Sequence, residues 1–137
     1  MATFNKFNSF TEALAEKVHN LGSDTLTIAL CAAANAPLAT NSVLADLTQI
    51  AYTNLSARTL GSVTSAQTGG VYKLDAADLI LSASGGSVAT FRYVVIYNDT
   101  ASNDELIGWS DYGSDVTLAS GESFTIRFSA SGILTIT

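Results

Sequence analysis

Apolar residues in the first 22 positions recur at three- and four-residue steps, a spacing typical of one face of an α-helix. This apolar stripe consists of Phe7, Phe10, Leu14, Val18 and Leu21. Ser9 and Glu12 have the spacing of a capping box at the start of such a helix, and Gly22 suits its C-terminal cap. We therefore predict an N-terminal arm and α-helix over residues 1–22.

The next apolar run, "DTLTIALCA", has the length and composition of a buried strand. Pro37 follows and marks a loop. Beyond it, Asn41 or Ser42 is placed to cap a short second helix. That possible helix would carry the apolar residues Val43, Leu44, Leu47 and Ile50.

From Arg58 onward the apolar pattern has a period of two residues, which is typical of strands. Clusters of Gly, Ser, Asn and Asp, such as "TGG", "SGG" and "DYGSD", separate the strands as turns. Many short strands at this spacing favour a mainly β fold: an antiparallel β-sandwich or a jelly-roll-like barrel over residues 23–137. With the helix, the chain would form a single domain, 1–137. Strands are predicted near residues 58–65, 70–75, 78–84, 88–97, 105–109, 115–118, 122–128 and 132–137.

The segment "FRYVVIY" is apolar on both of its faces. Alternation places Phe91, Tyr93, Val95 and Tyr97 on one face and Val94 and Ile96 on the other. A strand of this kind is expected at the centre of a sheet, covered on both sides. "ESFTIRF" alternates more simply, with Phe124, Ile126 and Phe128 predicted inward and Arg127 outward.

Charged residues make up only 13% of the 137 residues, against about 25% in an average soluble domain. This composition favours a subunit packed among neighbours, and the alternative is a β-domain that is merely poor in charge. The net charge is −6, and the six Lys and Arg residues are scattered. Because nucleic acid binding needs clustered cations, we expect no nucleic acid partner. An acidic surface suits a neighbour that presents basic groups.

Cys31 is the only cysteine and lies in an apolar run, so no internal disulfide can form and we expect a buried thiol. The polar start "MATFNKFNSF" lacks the apolar stretch of a signal peptide. No segment approaches the roughly 20 apolar residues that span a bilayer. We expect synthesis in a cytoplasm and no membrane partner.

Catalytic and metal-binding patterns are weak in this sequence. His19 is the only histidine and is predicted on the helix surface, away from Cys31, so a Cys–His nucleophile is not expected. No nucleophile elbow, phosphate-binding loop or dinucleotide fingerprint is present. We predict that the chain is not an enzyme and has no catalytic, cofactor-binding or metal site. Two alternatives stay open, namely calcium at the acidic loop 98–105 and a glycosidase-like carboxylate pair of Asp111 and Asp115.

Three of the six phenylalanines, Phe4, Phe7 and Phe10, lie within the first ten residues at a three-residue step. The helix that carries them either covers its own sheet or docks on a neighbouring subunit, because aromatic residues often anchor interfaces. These three residues are therefore candidate oligomer or shell contacts. Phe10 is expected to stay within its own chain, and Phe4 is the one expected to reach across.

The only tryptophan stands in "LIGWSDYG". Alternation places Trp109 and Asp111 on one face and Tyr112 on the other. We expect Trp109 to close one end of the sandwich. The alternative is a surface patch of Trp109, Asp111 and Tyr112 that stacks on a sugar, as in a carbohydrate-binding module.

The segments "EKVHNLGSDTL", "FRYVVIYND" and "GWSDYG" are the parts by which nearly the whole chain resembles small virion structural proteins of tailed bacteriophages. That group resembles capsid decoration, or cement, proteins in size and β-rich composition. The resemblance implies a homo-oligomer, which we expect to be a trimer, bound to the major capsid protein or another virion protein. It implies localisation at the capsid surface of the virion after synthesis in the host bacterial cytoplasm. The alternative within the virion is a tail-tube, head–tail joining or fibre-base subunit.

Overall fold

A computed structural model describes residues 3–137; residues 1 and 2 of the predicted arm lie outside the described residues. The described chain is mainly β, with one α-helix, α1 (Asn8–Ala15), and two single turns of 3-10 helix, Ala33–Asn35 and Leu44–Asp46. The strands are β1 (Phe4–Lys6), β2 (Leu26–Cys31), β3 (Thr64–Thr68), β4 (Val71–Asp75), β5 (Leu79–Ser82), β6 (Phe91–Asn98), β7 (Leu106–Val116), β8 (Ser123–Ile126) and β9 (Leu134–Ile136).

The strands form three antiparallel sheets. The largest has the order β1-β7-β6-β2, and the others have the orders β3-β4-β9 and β5-β8. One face of the four-stranded sheet packs on residues of the two smaller sheets, among them Leu74, Leu81 and Ile126. The predicted antiparallel β-sandwich is therefore confirmed. The jelly-roll-like barrel is not formed, because the sheets do not close on themselves.

Strand β2 explains why the four-stranded sheet needs cover on both faces. All six of its residues are buried. Leu26, Ile28 and Leu30 belong to the main core between the sheets. Ala29 and Cys31 point to the other face and belong to a second cluster. The buried strand predicted here is confirmed, and so is the central position of β6, which lies between β7 and β2.

The second cluster is covered by the N-terminal segment and by the chain that follows β2. Phe7 is fully buried there, and Leu44 and Leu47 pack against the same cluster. The predicted second helix is reduced to the single turn Leu44–Asp46. The reason is that residues 42–44 are held extended beside the sheet: the Leu44 amide donates to the Asp104 carbonyl, and Ser42 accepts from the Leu106 amide.

Helix α1 begins one residue before the predicted cap and ends earlier than predicted. It begins at Asn8 without a side-chain cap, so the capping box of Ser9 and Glu12 is wrong. It also ends at Ala15, not near Gly22. Lys17 adopts φ +68°, and the Val18 amide donates to the Ala13 carbonyl at 2.9 Å. This is a Schellman cap, in which the chain after the helix folds back onto the last turn. Val18 therefore stays close to the last turn, although it lies outside the helix.

Two of the predicted strands near residues 105–109 and 115–118 are one strand, β7. The intervening "DYGSD" contains an irregular bulge within this strand, in which the four residues 112–115 lie opposite the single residue Arg92. The bulge also turns Phe91 toward the main core with Ile96, so its predicted place on the face of Tyr93 is wrong. Phe124, Ile126 and Phe128 pack in the main core as predicted, and Arg127 is exposed.

The predicted strand at 58–65 is displaced. Its first part makes only the isolated bridge Thr59–Thr27 beside β2, and the regular strand, β3, begins at Thr64. Ser62 lies between them at φ +50°. Since few residues adopt that conformation within a strand, the segment divides there.

Strand β1 packs unusually close to β7. A Cβ atom built on Gly108 would collide with the Phe4 ring and lie 2.7 Å from the Asn5 carbonyl oxygen. Gly108 pairs with Lys6 on β1 and with Ile96 on β6. The absence of a side chain at this position therefore lets the aromatic ring of β1 lie against the β7 backbone.

We predict that Gly108→Ala lowers the free energy of unfolding by about 1–3 kcal/mol, because a backbone carbonyl and a ring must move to admit one methyl group. The matched control is Gly61→Ala, where no other atom lies within 4 Å of the new Cβ. That control should leave stability unchanged or slightly raised. Urea unfolding followed by tryptophan fluorescence measures both, and equal effects would contradict the close packing of β1.

Candidate functional site

The three candidate contact phenylalanines all lie against their own chain. Phe7 is fully buried and Phe10 is 3% exposed. Phe7 belongs to the second cluster, whereas Phe10 belongs to the main core and Phe4 is half-buried at its margin. Phe7 and Phe10 therefore have no surface to offer a second subunit, and their assignment as oligomer or shell contacts is corrected. Phe4 does not reach outward: its ring covers Gly108.

Trp109 does not close an end of the sandwich. It lies within β7, paired with Asn5 on β1 and Val95 on β6. Its ring centroid is 4.6 Å from that of Phe7, and it packs half-buried on the second cluster. Its bulk covers Phe7, so the tryptophan holds the N-terminal segment on the sheet.

Asp111 and Tyr112 do not extend Trp109 into a single patch. Asp111 accepts hydrogen bonds from the Arg92 guanidinium at 2.8 and 3.2 Å, which lowers the pKa of its carboxyl group. Tyr112 is about half exposed and meets Phe124 edge to face at 4.9 Å, on the side of the main core. Alternation thus places Trp109 and Asp111 on one face of β7 and Tyr112 on the other, as predicted, so the three side chains do not form one sugar-binding patch.

The most highly connected polar group in the interior is the Asn98 side chain, which is fully buried at the end of β6. Its Nδ2 donates to Asp24 Oδ2 at 2.7 Å and to His19 Nδ1 at 3.0 Å. Its Oδ1 accepts from the amides of Thr100 and Ala101. Both the nitrogen and the oxygen of the side-chain amide therefore make two hydrogen bonds each, and these bonds connect the turn after α1 to the β6–β7 loop.

His19 is 5% exposed, so its predicted place on a helix surface is wrong. Because Asn98 donates to Nδ1, the neutral ring carries its proton on Nε2. Burial lowers the pKa of His19, and the carboxylates of Glu105 and Asp24 partly oppose that shift. His19 Nε2 and Glu105 Oε2 are buried without a hydrogen-bond partner among the described residues.

Cys31 is buried as predicted, and burial raises the pKa of its thiol to about 11. In the acidic loop, burial together with Asp99 and Glu105 raises the pKa of Asp104. Among residues 3–137, no group of three or more His, Cys, Asp or Glu side chains is arranged to hold a metal ion. None of the helices in this part of the chain is long and apolar enough to cross a bilayer.

Two open surface clefts accompany these groups. One, of about 550 Å³, runs beside the polar network and is lined by Leu14, His19, Tyr72 and Ile136 among others. The second, of about 450 Å³, lies between Leu44 and Asp104. Both are wide open, so neither would bury most of the surface of a small ligand, as established ligand sites do.

Comparison with protein-family models, with curated proteins and with solved structures found no match for this chain. The geometry of the residues is therefore the evidence on function, beside the resemblance of the sequence segments quoted above.

We predict that Asn98→Leu lowers the free energy of unfolding by about 2–4 kcal/mol, because it leaves a histidine nitrogen and two amides without their partner. It also removes one of the two hydrogen bonds to the Asp24 carboxylate. Asn103→Leu, in the same loop but exposed, is the matched control and should change stability by less than about 0.5 kcal/mol. Chemical denaturation compares the two variants. If both variants lose the same free energy of unfolding, the Asn98 network does not hold the two segments together.

We also predict a pH dependence from His19. Its pKa in the folded chain lies below the ordinary 6.5, so the unfolded chain takes up a proton first as the pH falls. Stability is then fully present above about pH 6.5 and is lost below it, down to the folded pKa. The measurement is urea unfolding at about pH 7.5 and about pH 5.5.

His19→Gln is the control for this pH effect, because the Gln oxygen can accept from Asn98 but does not titrate. It should lose less stability between the two pH values than the unaltered chain does. Carboxylates that titrate in the same range affect both proteins and cancel in the comparison. Equal losses would mean that His19 is not responsible.

Proposed function

We propose that the chain is a structural component of a tailed-phage virion, acting as a capsid decoration protein that binds the outside of the head and stabilises it. The observation that carries the proposal is a β-sandwich whose surface is unusually poor in charge. Only 13% of the residues are charged, and the exposed strand β3, "TSAQT", has no ionisable group. Such a surface suits repeated contact with neighbours.

Because the N-terminal aromatic residues and the histidine are committed to the interior, any contact with a shell would use other parts of the surface. Trp109, Phe7 and Phe10 pack in the two apolar clusters of their own chain. The histidine is used in the Asn98 network. A decoration protein needs a stable β-domain and a surface complementary to the shell, and weak contacts add through multivalency when their geometry allows simultaneous engagement.

The remaining acidic surface indicates the kind of partner. The net charge is −6, and Arg92–Asp111 is the one salt bridge between side chains of residues 3–137. Most carboxylates therefore have no cationic side chain beside them within this part of the chain, although several accept hydrogen bonds from backbone amides. We propose the major capsid protein as that partner, with positive groups at the contact.

The test is binding of the purified chain to expanded shells of its own phage. We expect co-sedimentation with shells, displacement of labelled chain by excess unlabelled chain, and a higher temperature of shell disruption. Weaker binding at high salt is expected if charge complementarity contributes. No binding, with immunogold label at one vertex or along the tail, would overturn the head assignment and favour another virion part.

A further inference from the structure

The free edge of strand β3 is an open hydrogen-bonding surface. All five residues of the strand, Thr64–Thr68, are exposed. The strand pairs with β4 on one side and is the outer member of its sheet. Natural proteins usually protect such an edge with charge, proline or a covering segment, because it is a template for pairing with another chain. None of these protections is present in "TSAQT".

The outer edge of β2, by contrast, is protected by other parts of the chain. There the Ile28 amide donates to the Arg58 carbonyl, and the Ile50 amide donates to the Leu30 carbonyl. The Leu30 amide donates to the Tyr52 hydroxyl at 3.0 Å. The residues after β2 thus cover its outer backbone groups, whereas β3 has no comparable cover.

The hairpin geometry determines which groups of β3 point outward. Thr68 and Val71 flank a two-residue turn, Gly69–Gly70, so they exchange backbone hydrogen bonds with each other. Bonded and non-bonded pairs then alternate along the ladder. Thr68, Ala66 and Thr64 direct their backbone groups to β4, and Ser65 and Gln67 direct theirs outward.

We propose that this edge pairs antiparallel with the same edge of a second copy, about a two-fold axis at Ala66. In that register the outward groups of Ser65 face those of Gln67 in the second copy, which gives four backbone hydrogen bonds. Thr64 then faces Thr68, and Ala66 faces itself. The paired strands would join two three-stranded sheets into one of six.

Several features of the edge favour a copy of the same chain as the occupant. The strand reads nearly the same in both directions, so its side chains match in size and polarity across the axis. With a net charge of −6, two copies repel each other, and an uncharged edge brings no like charges face to face. The side chains are already satisfied within the hairpin: Ser65 hydrogen-bonds Tyr72, and Gln67 accepts from the Gly70 amide.

This contact is separate from binding to a shell, since a two-fold pairing can form in the purified chain. It also differs from the trimer expected from the resemblance, because a two-fold axis does not generate three-fold symmetry. Failure of shell binding would leave the pairing in place, and failure of the pairing would leave shell binding in place.

The experiment uses cysteine variants of the full chain. In Ala66→Cys the two introduced thiols would face each other across the axis, with Cβ atoms about 5 Å apart. In Thr68→Cys they would be four residues out of register, about 13 Å apart along the strands. The unaltered chain, whose cysteine is the buried Cys31, gives the background rate of disulfide cross-linking. Under mild oxidation we expect Ala66→Cys to form covalent dimers at least about tenfold faster than Thr68→Cys.

A second pair of variants tests the contact without cross-linking. Ala66→Glu places like charges opposite each other at the axis, while Lys73, its neighbour on β4, supports the hairpin. Thr135→Glu adds the same charge on the other side of Lys73, away from β3. In sedimentation, the average mass should rise with concentration for the unaltered chain and Thr135→Glu, and less for Ala66→Glu. Equal cross-linking rates, or equal masses for all three proteins, would overturn the proposal.

Discussion

The pairing of β2 with β6 imposes the constraint on which the rest of this structure depends. Both strands are apolar on both faces, and six residue pairs join them, from Leu26–Asn98 to Cys31–Tyr93. A two-sided apolar ladder must be covered twice. The smaller sheets cover one face, and Phe7, Trp109 and the segment after β2 cover the other. The N-terminal aromatics are therefore committed to the interior of their own chain.

The same ladder ends at a polar residue, and that residue organises the loops beyond it. Asn98 stands opposite Leu26 at the last pair and is fully buried. Its four hydrogen bonds satisfy groups from both the turn before β2 and the loop after β6. The acidic loop has the composition of a cation-binding loop, but here the side-chain amide of Asn98 fixes its first residues by hydrogen bonds.

The sequence pattern was sufficient to predict the features that depend on local periodicity. The buried β2 and the central β6 follow from their continuous runs of apolar residues, and the inward residues Ile126 and Phe128 follow from alternation. The errors arose where tertiary contacts override local pattern. Val18 continues the helical spacing in the sequence, but a Schellman cap ends the helix before it. The bulge opposite Arg92 turns Phe91 to the other face of the sheet. The role of Asn98 in joining two segments could not be predicted, since Asp24 and His19 lie 74 and 79 residues away along the chain.

Cys31 illustrates a consequence of a strand that is buried on both faces. Its sulfur lies inside the second cluster, and its thiol, with a pKa raised to about 11, supplies almost no thiolate near neutral pH. Oxidants act on the thiolate and need access to it. Air oxidation is therefore not expected to link two copies of this protein by a disulfide through Cys31, and purified protein should stay free of such dimers without a reducing agent.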